Sequence, residues 1–385
     1  MTRLTVPFFS QARTFERIWP DIRSQVEEVF EDGKFSHSTR VRALEQALAA
    51  YTGARHVIGV NSGTDALVLL LKACGLRPGD RVLVPAYSFV ATATSVVHAG
   101  GEPVFADVDP DSYALDPARV PDGALDGTRF VMPVHLFSRM ADMAALTAFA
   151  SARGLELVED SAEGIGMRQA GVHAGLHGRG GVLSFFPGKT LGALGDAGAV
   201  LTDDPGIAER VAALRHHGRT GRTLGHFPGI SHESVLPGHN SKMDDLQAAI
   251  LLARLTVLDG DIRRRADLAA RYDRRLRGLP GITRLPRLTG APDEVFYVYL
   301  IETDHRDALA GHLAAGGIGT EVYYPRPLHL QPCFARLGHR PGDFPAAEAA
   351  AGRALALPLY PDLTDEQADR VCDAVEEFLT RKVSA

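Results

Sequence analysis

The sequence predicts an α/β fold: a large domain with a mostly parallel mixed sheet sandwiched by helices, then a smaller C-terminal α/β domain. Three observations predict it. From about residue 39 to 255, helical periods alternate with short apolar runs bounded by Gly and Pro, as in a buried sheet with crossover helices. From Asp244 to about Leu276 a charged amphipathic stretch reads as one long helix linking two bodies. Beyond it the alternation resumes. Residues 1–255, with an N-terminal helical segment, form the expected large domain, and residues 256–385 the small one.

In order, His56–Val60 reads as a strand and Thr64–Cys74 as the helix behind it. The turn Leu76-Arg-Pro-Gly-Asp80 separates that helix from a strand at Arg81–Val84. Val90–Ala99 is a helix and Pro103–Asp107 a strand. Phe130–Val134, Leu155–Glu159, Val182–Phe186 and Ala199–Leu201 are further strands, with helices at Met143–Ala152 and Ala208–His216. In the second domain Val295–Ile301 is a strand and Arg306–Ala315 a helix. Glu348–Ala356 and Asp365–Thr380 are closing helices.

Composition excludes several classes of function. Of the 385 residues, 45% are hydrophobic and 23% charged, with a net charge of −6, so the chain carries an ordinary globular balance. No basic stripe offers nucleic acid or an anionic membrane an electrostatic footprint. No stretch approaches the roughly 18 apolar residues of a membrane span, and Met1–Pro7 lacks the apolar core of a signal peptide. Cys74, Cys333 and Cys372 are scattered, so neither a disulfide framework nor a metal site is expected, and the reduced cytoplasm is the expected compartment. His216, His217, His226, His232 and His239 lack metal-ligand spacing, so no metal is expected there.

Chemistry concentrates in a few segments. Lys189 leaves a strand and enters a Gly-rich turn, Phe186-Pro-Gly-Lys-Thr-Leu-Gly192. Gly188-Lys189-Thr190 imitates the end of a phosphate-binding P-loop, but Leu183 stands where that motif needs glycine; a surface lysine is the plainer alternative. Asp160 closes the apolar strand Leu155–Glu159, at the strand end where α/β proteins bind ligands. A carboxylate there suits a protonated pyridine nitrogen; a helix cap or a strand end is the alternative. Asn61-Ser62-Gly63-Thr64 follows a strand and opens a helix, a position that suits phosphate. Without a full G-x-G-x-x-G it favours pyridoxal 5′-phosphate (PLP) over NAD, with a simple N-cap as the alternative. Tyr87 follows the next strand, placed either to stack on a flat ring or to pack the core. Pro237–Asp245, containing Asn240 and Lys242, is a polar loop before the long helix, or that helix's cap.

Together these segments resemble the DegT/DnrJ/EryC1/StrS sugar aminotransferases, PLP enzymes of fold type I, from about Pro7 to Asp362. The matching blocks are Ser62–Leu67, Pro78–Phe89, Pro103–Asp109, Met132–His135, Val158–Asp160, Ser184–Lys189, Leu214–Gly218, Asp245–Ala249, Tyr324–His329 and Leu357–Pro361. The resemblance implies that Lys189 forms the internal aldimine and moves the protons of a ping-pong transamination. It implies that Asp160 pairs with the pyridine nitrogen, Tyr87 stacks on the ring, and Gly63, Thr64 and Ser184 bind phosphate. Asn240 would reach the cofactor phosphate of a second subunit, in a homodimer with active sites at the interface. Tyr324, His329 and Lys242 fall on the sugar-nucleotide side. The partners implied are a nucleotide-linked, expectedly dTDP-linked, keto-6-deoxyhexose and an amino-acid donor, glutamate by family habit.

The sequence departs from the family pattern in four places. Glu163 stands where glutamine usually touches the cofactor's phenolic oxygen, a carboxylate facing a phenolate. Leu136-Phe-Ser-Arg139 replaces an aromatic followed by Gly-Gln, Tyr323 replaces a common histidine, and Lys242 a common arginine. The expected reaction is at the C4 ketone, with a C3 ketone or a cyclitol ketone as alternatives. A sugar dehydratase of this family would carry histidine in place of Lys189. A non-catalytic regulatory or binding protein on the same fold is the reading from another class.

Overall fold

The computed structural model describes residues 5–120, 122–220, 233–292 and 294–383. Two helices open the chain, α1 (Ala12–Asp32) and α2 (Thr39–Thr52). Each stops at a glycine in the left-handed region, Gly33 (φ 63°) and Gly53 (φ 87°), whose N–H turns back to the last carbonyls.

The sheet then builds with its helices: β1 (His56–Val60), α3 (Gly63–Ala73), β2 (Arg81–Pro85), α4 (Val90–Ala99), β3 (Glu102–Ala106), β4 (Thr128–Val131), α5 (Met143–Arg153) and β5 (Glu156–Leu157). A short hairpin, β6 (Arg168–Gln169) and β7 (Val172–His173), precedes β8 (Gly181–Ser184), β9 (Gly198–Thr202) and α6 (Pro205–Leu214). Strands β3, β2, β4 and β5 pair in parallel in that order. Strand β9 lies antiparallel between β8 and β1. A parallel bridge, Glu159 to Gly181, joins the two groups. The sheet therefore runs β3-β2-β4-β5-β8-β9-β1, parallel except at β9. Its strands are continuous apolar runs such as Val82-Leu-Val84 because helices cover both faces.

Two helices follow, α7 (Asp245–Leu255) and α8 (Leu258–Leu276). The expected single helix over Asp244–Leu276 is thus interrupted. Thr256 turns its hydroxyl back to the Ala253 carbonyl at 2.7 Å, a local bond that competes with helix propagation. The packing changes at the same point: α7 lies against α1 and α2, whereas α8 lies against α11 (Asp365–Val383). Between them come β10 (Tyr299–Glu302), α9 (Arg306–Ala315), α10 (Pro345–Arg353) and β11 (Ala354–Leu357). Leu268, Tyr272, Tyr299, Ile301, Leu355, Leu357, Val371 and Val375 form a second core here. Strand β10 is shorter than the expected Val295–Ile301. Ala354-Leu-Ala-Leu357, expected to finish a helix, is instead a strand antiparallel to β10, because pairing and full burial override its weak strand propensity.

Candidate active site

A cavity of about 430 Å³ opens at the carboxyl ends of the central strands. Seven residues singled out from the sequence line it: Gly63, Thr64, Asp160, Glu163, Ser184, Lys189 and Tyr324. Lys189 sits in the turn after β8, closed by its N–H on the Phe186 carbonyl at 2.8 Å. Its Nζ donates to Glu163 Oε1 at 2.8 Å and lies 4.4 Å from the centre of the Tyr297 ring. The lysine points into the cavity and away from bulk solvent, which sets the surface-lysine alternative aside.

Asp160 continues the strand direction of β5, with its N–H on the Pro133 carbonyl and its carbonyl accepting from His135 N–H. Its side chain is buried, accepting from Thr92 Oγ1 at 2.7 Å and from Ala162 N–H at 3.3 Å. Burial raises its pKa above the ordinary value, opposed by these two donors and by the charge of Lys189. A cation placed against Asp160 favours its ionised form. Just beneath, Glu159 is fully enclosed and accepts from His135 Nε2 and from the N–H groups of Gly175, His177 and Gly178. Burial raises the Glu159 pKa, but this ring of donors outweighs burial and holds it below the usual value.

The anion cup is the start of α3. Ser62 caps the helix, its Oγ accepting from Asp65 N–H at 3.1 Å, so the N-cap alternative is also realised. The N–H groups of Gly63 and Thr64 lie at the same positive helix end. Gly63 is there because strand and helix meet closely: a Cβ would stand 2.7 Å from Ser184 Cβ. At Gly198 of β9 a Cβ would come within 2.5 Å of the Ser62 carbonyl carbon. Amide donors and hydroxyls at a helix start, a buried carboxylate and an amine form a donor set that fits a flat phosphorylated pyridine aldehyde.

Other expected contacts lie elsewhere. Tyr87 is 0% exposed and does not line the cavity; its hydroxyl donates to the Tyr323 carbonyl and accepts from Tyr324 N–H at 3.0 Å. Phe89 lines the cavity instead, 54% exposed, at the N-cap of α4. The chain leaves the strand at Pro85, so strand alternation no longer relates positions 87 and 89. An aromatic placed at a helix start was the available signal for Phe89. Tyr324 lines the cavity, with Tyr297 and Tyr323, which sequence reasoning had not assigned as contacts. His329 is 1% exposed and faces Glu348 Oε1 at 3.1 Å, with its ring 4.7 Å from Phe344, so it packs away from the cavity. Asn240 and Lys242 lie outside the cavity, side by side through Lys242 Nζ and Asn240 Oδ1, with Asn240 exposed. Within the loop read as a possible helix cap, Asp244 occupies the N-cap position of α7 without a side-chain hydrogen bond to it, and Ser241 donates to Asn61 Oδ1. His226 and His232 lie outside the described residues.

A family model for the DegT/DnrJ/EryC1/StrS aminotransferases matches residues 17–376. The chain belongs to that family. It is a PLP-dependent aminotransferase on an α/β fold of type I. A transaminase of Streptomyces venezuelae named for dTDP-3-amino-3,4,6-trideoxy-α-D-glucose is 39% identical over 98% of this chain and 97% of its own length. A "pleiotropic regulatory protein" of Geobacillus stearothermophilus is 40% identical over 97% of this chain and 99% of its own. The crystal structure of DesV from S. venezuelae, in complex with a ketimine intermediate, superimposes with a TM-score of 0.91 at 39% identity, covering 98% of this chain and 99% of that one.

Proposed function

We propose that this aminotransferase moves the amino group of an amino acid, with glutamate as donor, onto the ketone of a nucleotide-linked deoxyhexose. One observation carries the reading: Lys189 Nζ, the Asp160 carboxylate and the Gly63–Thr64 helix start border a single cavity. PLP bound there supplies the electron sink that makes the Cα proton of an amino acid removable. Lys189 holds and moves that proton, first as base towards the donor and then as acid towards the sugar. Asp160 holds the positive charge of the ring nitrogen, and Gly63, Thr64 and Ser184 bind the phosphate. Phe89 covers one face of the ring, and Tyr324 borders the sugar. Asn240, exposed, and Lys242, half-buried, both outside their own chain's cavity, reach the site of a second copy of the chain. Residues 1–255 carry the cofactor and 256–385 close the cavity with Tyr297, Tyr323 and Tyr324.

The ketone we favour is at C3. The S. venezuelae transaminase, 39% identical, is named for a 3-amino product, and its length matches this chain almost throughout. The C4 ketone expected from the sequence is the comparison arm. The pyridoxamine form of the protein is offered C3- and C4-keto dTDP-hexoses in parallel, and faster return of the visible band with the C4 ketone overturns the choice of carbon. Lys189→Ala tests the chemistry. It abolishes the visible absorption band and lowers turnover by about 10² to 10⁴-fold; normal turnover in that variant removes Lys189 from the mechanism. A regulatory reading is favoured by the name of the G. stearothermophilus relative. A yellow protein that glutamate does not bleach would support it.

A further inference from the structure

Glu163 has both carboxylate oxygens engaged. Oε2 accepts the Phe137 N–H at 2.7 Å, and Oε1 accepts from Lys189 Nζ at 2.8 Å. The backbone donor anchors one oxygen, so the other is aimed at the amine. The residue is 5% exposed, so water competes little for the pair. Facing it are Asp160, Asp196 on the loop before β9, and the phenols of Tyr297, Tyr323 and Tyr324. Burial, and the nearby Glu163 charge, push those phenols well above their ordinary value, so they stay neutral. Arg265 lies behind the wall, with Nη1 on the Tyr297 carbonyl at 3.0 Å.

We propose that Glu163 is the proton partner of Lys189: Oε1 takes the proton that Nζ must release to act as a free amine, and returns it afterwards. The step breaks one N–H bond on Nζ and forms one O–H bond on Oε1, with nothing else exchanged. In water the proton belongs on the amine, because model carboxyls titrate near about 4.3 and amines near about 10.4. The 2.8 Å contact nevertheless holds donor and acceptor at the separation a proton transfer needs. An amide at position 163 anchors the amine equally well but takes up no proton. The inference rests on Lys189 being the cofactor's attachment point.

The test is a pH titration of the visible band of the PLP-loaded protein, which follows the proton on the Lys189 nitrogen. Glu163→Gln keeps the band, and its midpoint falls by about one unit or more, a tenfold loss of proton affinity. A band that persists with its midpoint within about 0.3 unit of wild type overturns the role of Glu163 while leaving Lys189 as the attachment point. A wild-type protein with no visible band overturns the reading of Lys189 itself. Should Glu163→Gln fail to fold, Glu163→Ala is titrated with and without formate. There the midpoint falls and formate restores it, whereas an unmoved midpoint or one indifferent to formate overturns the proposal.

Discussion

Thr92 Oγ1 donates a 2.7 Å hydrogen bond to Asp160 Oδ2. A hydroxyl has one proton to give, so the 2.7 Å contact between Thr92 and Ser88 must be a donation from Ser88 Oγ. A relay from the start of α4 therefore steadies the carboxylate assigned to the ring nitrogen.

Thr92→Val breaks that relay without changing shape. Asp160, already raised by burial, loses the strongest opposing donor and rises further. PLP affinity falls about tenfold, the scale of one hydrogen bond to a charged group. The loss grows as pH falls, because ring pairing needs the ionised carboxylate. Cofactor titration by visible absorption at pH 6 and 8 reads it, and an equal affinity loss at both values counts against the relay.

Phe89 and Tyr87 separate by substitution. Phe89→Ala removes the aromatic that borders the cavity and weakens PLP binding about tenfold, with little change in Tm. Tyr87→Phe removes the bonds to Tyr323 and Tyr324 and costs about 1 kcal/mol of stability, with PLP affinity nearly kept. The reverse pattern would return the stacking role to Tyr87.

His173 gives the fold an acid limit. Its ring is buried, with Nδ1 at 2.6 Å from the Ala174 carbonyl and Nε2 accepting from Gly166 N–H at 2.9 Å, a pattern only the neutral ring satisfies. Burial pushes its pKa down to about 4. The unfolded chain takes this proton near pH 6.5, before the folded chain does. The contribution is therefore whole above about pH 6.5 and is lost as pH falls towards 4. Between pH 7 and 4.5, wild type should lose about 2 kcal/mol more urea stability than His173→Gln, which keeps a donor and an acceptor without titrating. Parallel pH curves for the two proteins would rule this contribution out.

How much was legible can be seen residue by residue. Buried parallel strands are short apolar runs, so β1, β2 and β3 could be read within a residue or two. Gly63, Thr64, Asp160, Ser184 and Lys189 could be singled out because each ends a strand or opens a turn or helix. Ala354–Leu357 could not be read as a strand, since its pairing partner lies more than fifty positions away and its composition favours a helix. His329 fell in a matching block, but the block's helical turn directs it to Glu348 and Phe344.

The sequence by itself determined the strands and helices from β1 to β3 and which residue types carry the chemistry, because both follow from local periodicity and turn residues. Only the tertiary structure decided that Phe89 and not Tyr87 meets the cavity, that the long helix divides at Thr256, and that Glu163 engages Lys189. Those outcomes depend on side-chain directions after the chain leaves its regular elements, where no period governs and packing between distant segments chooses.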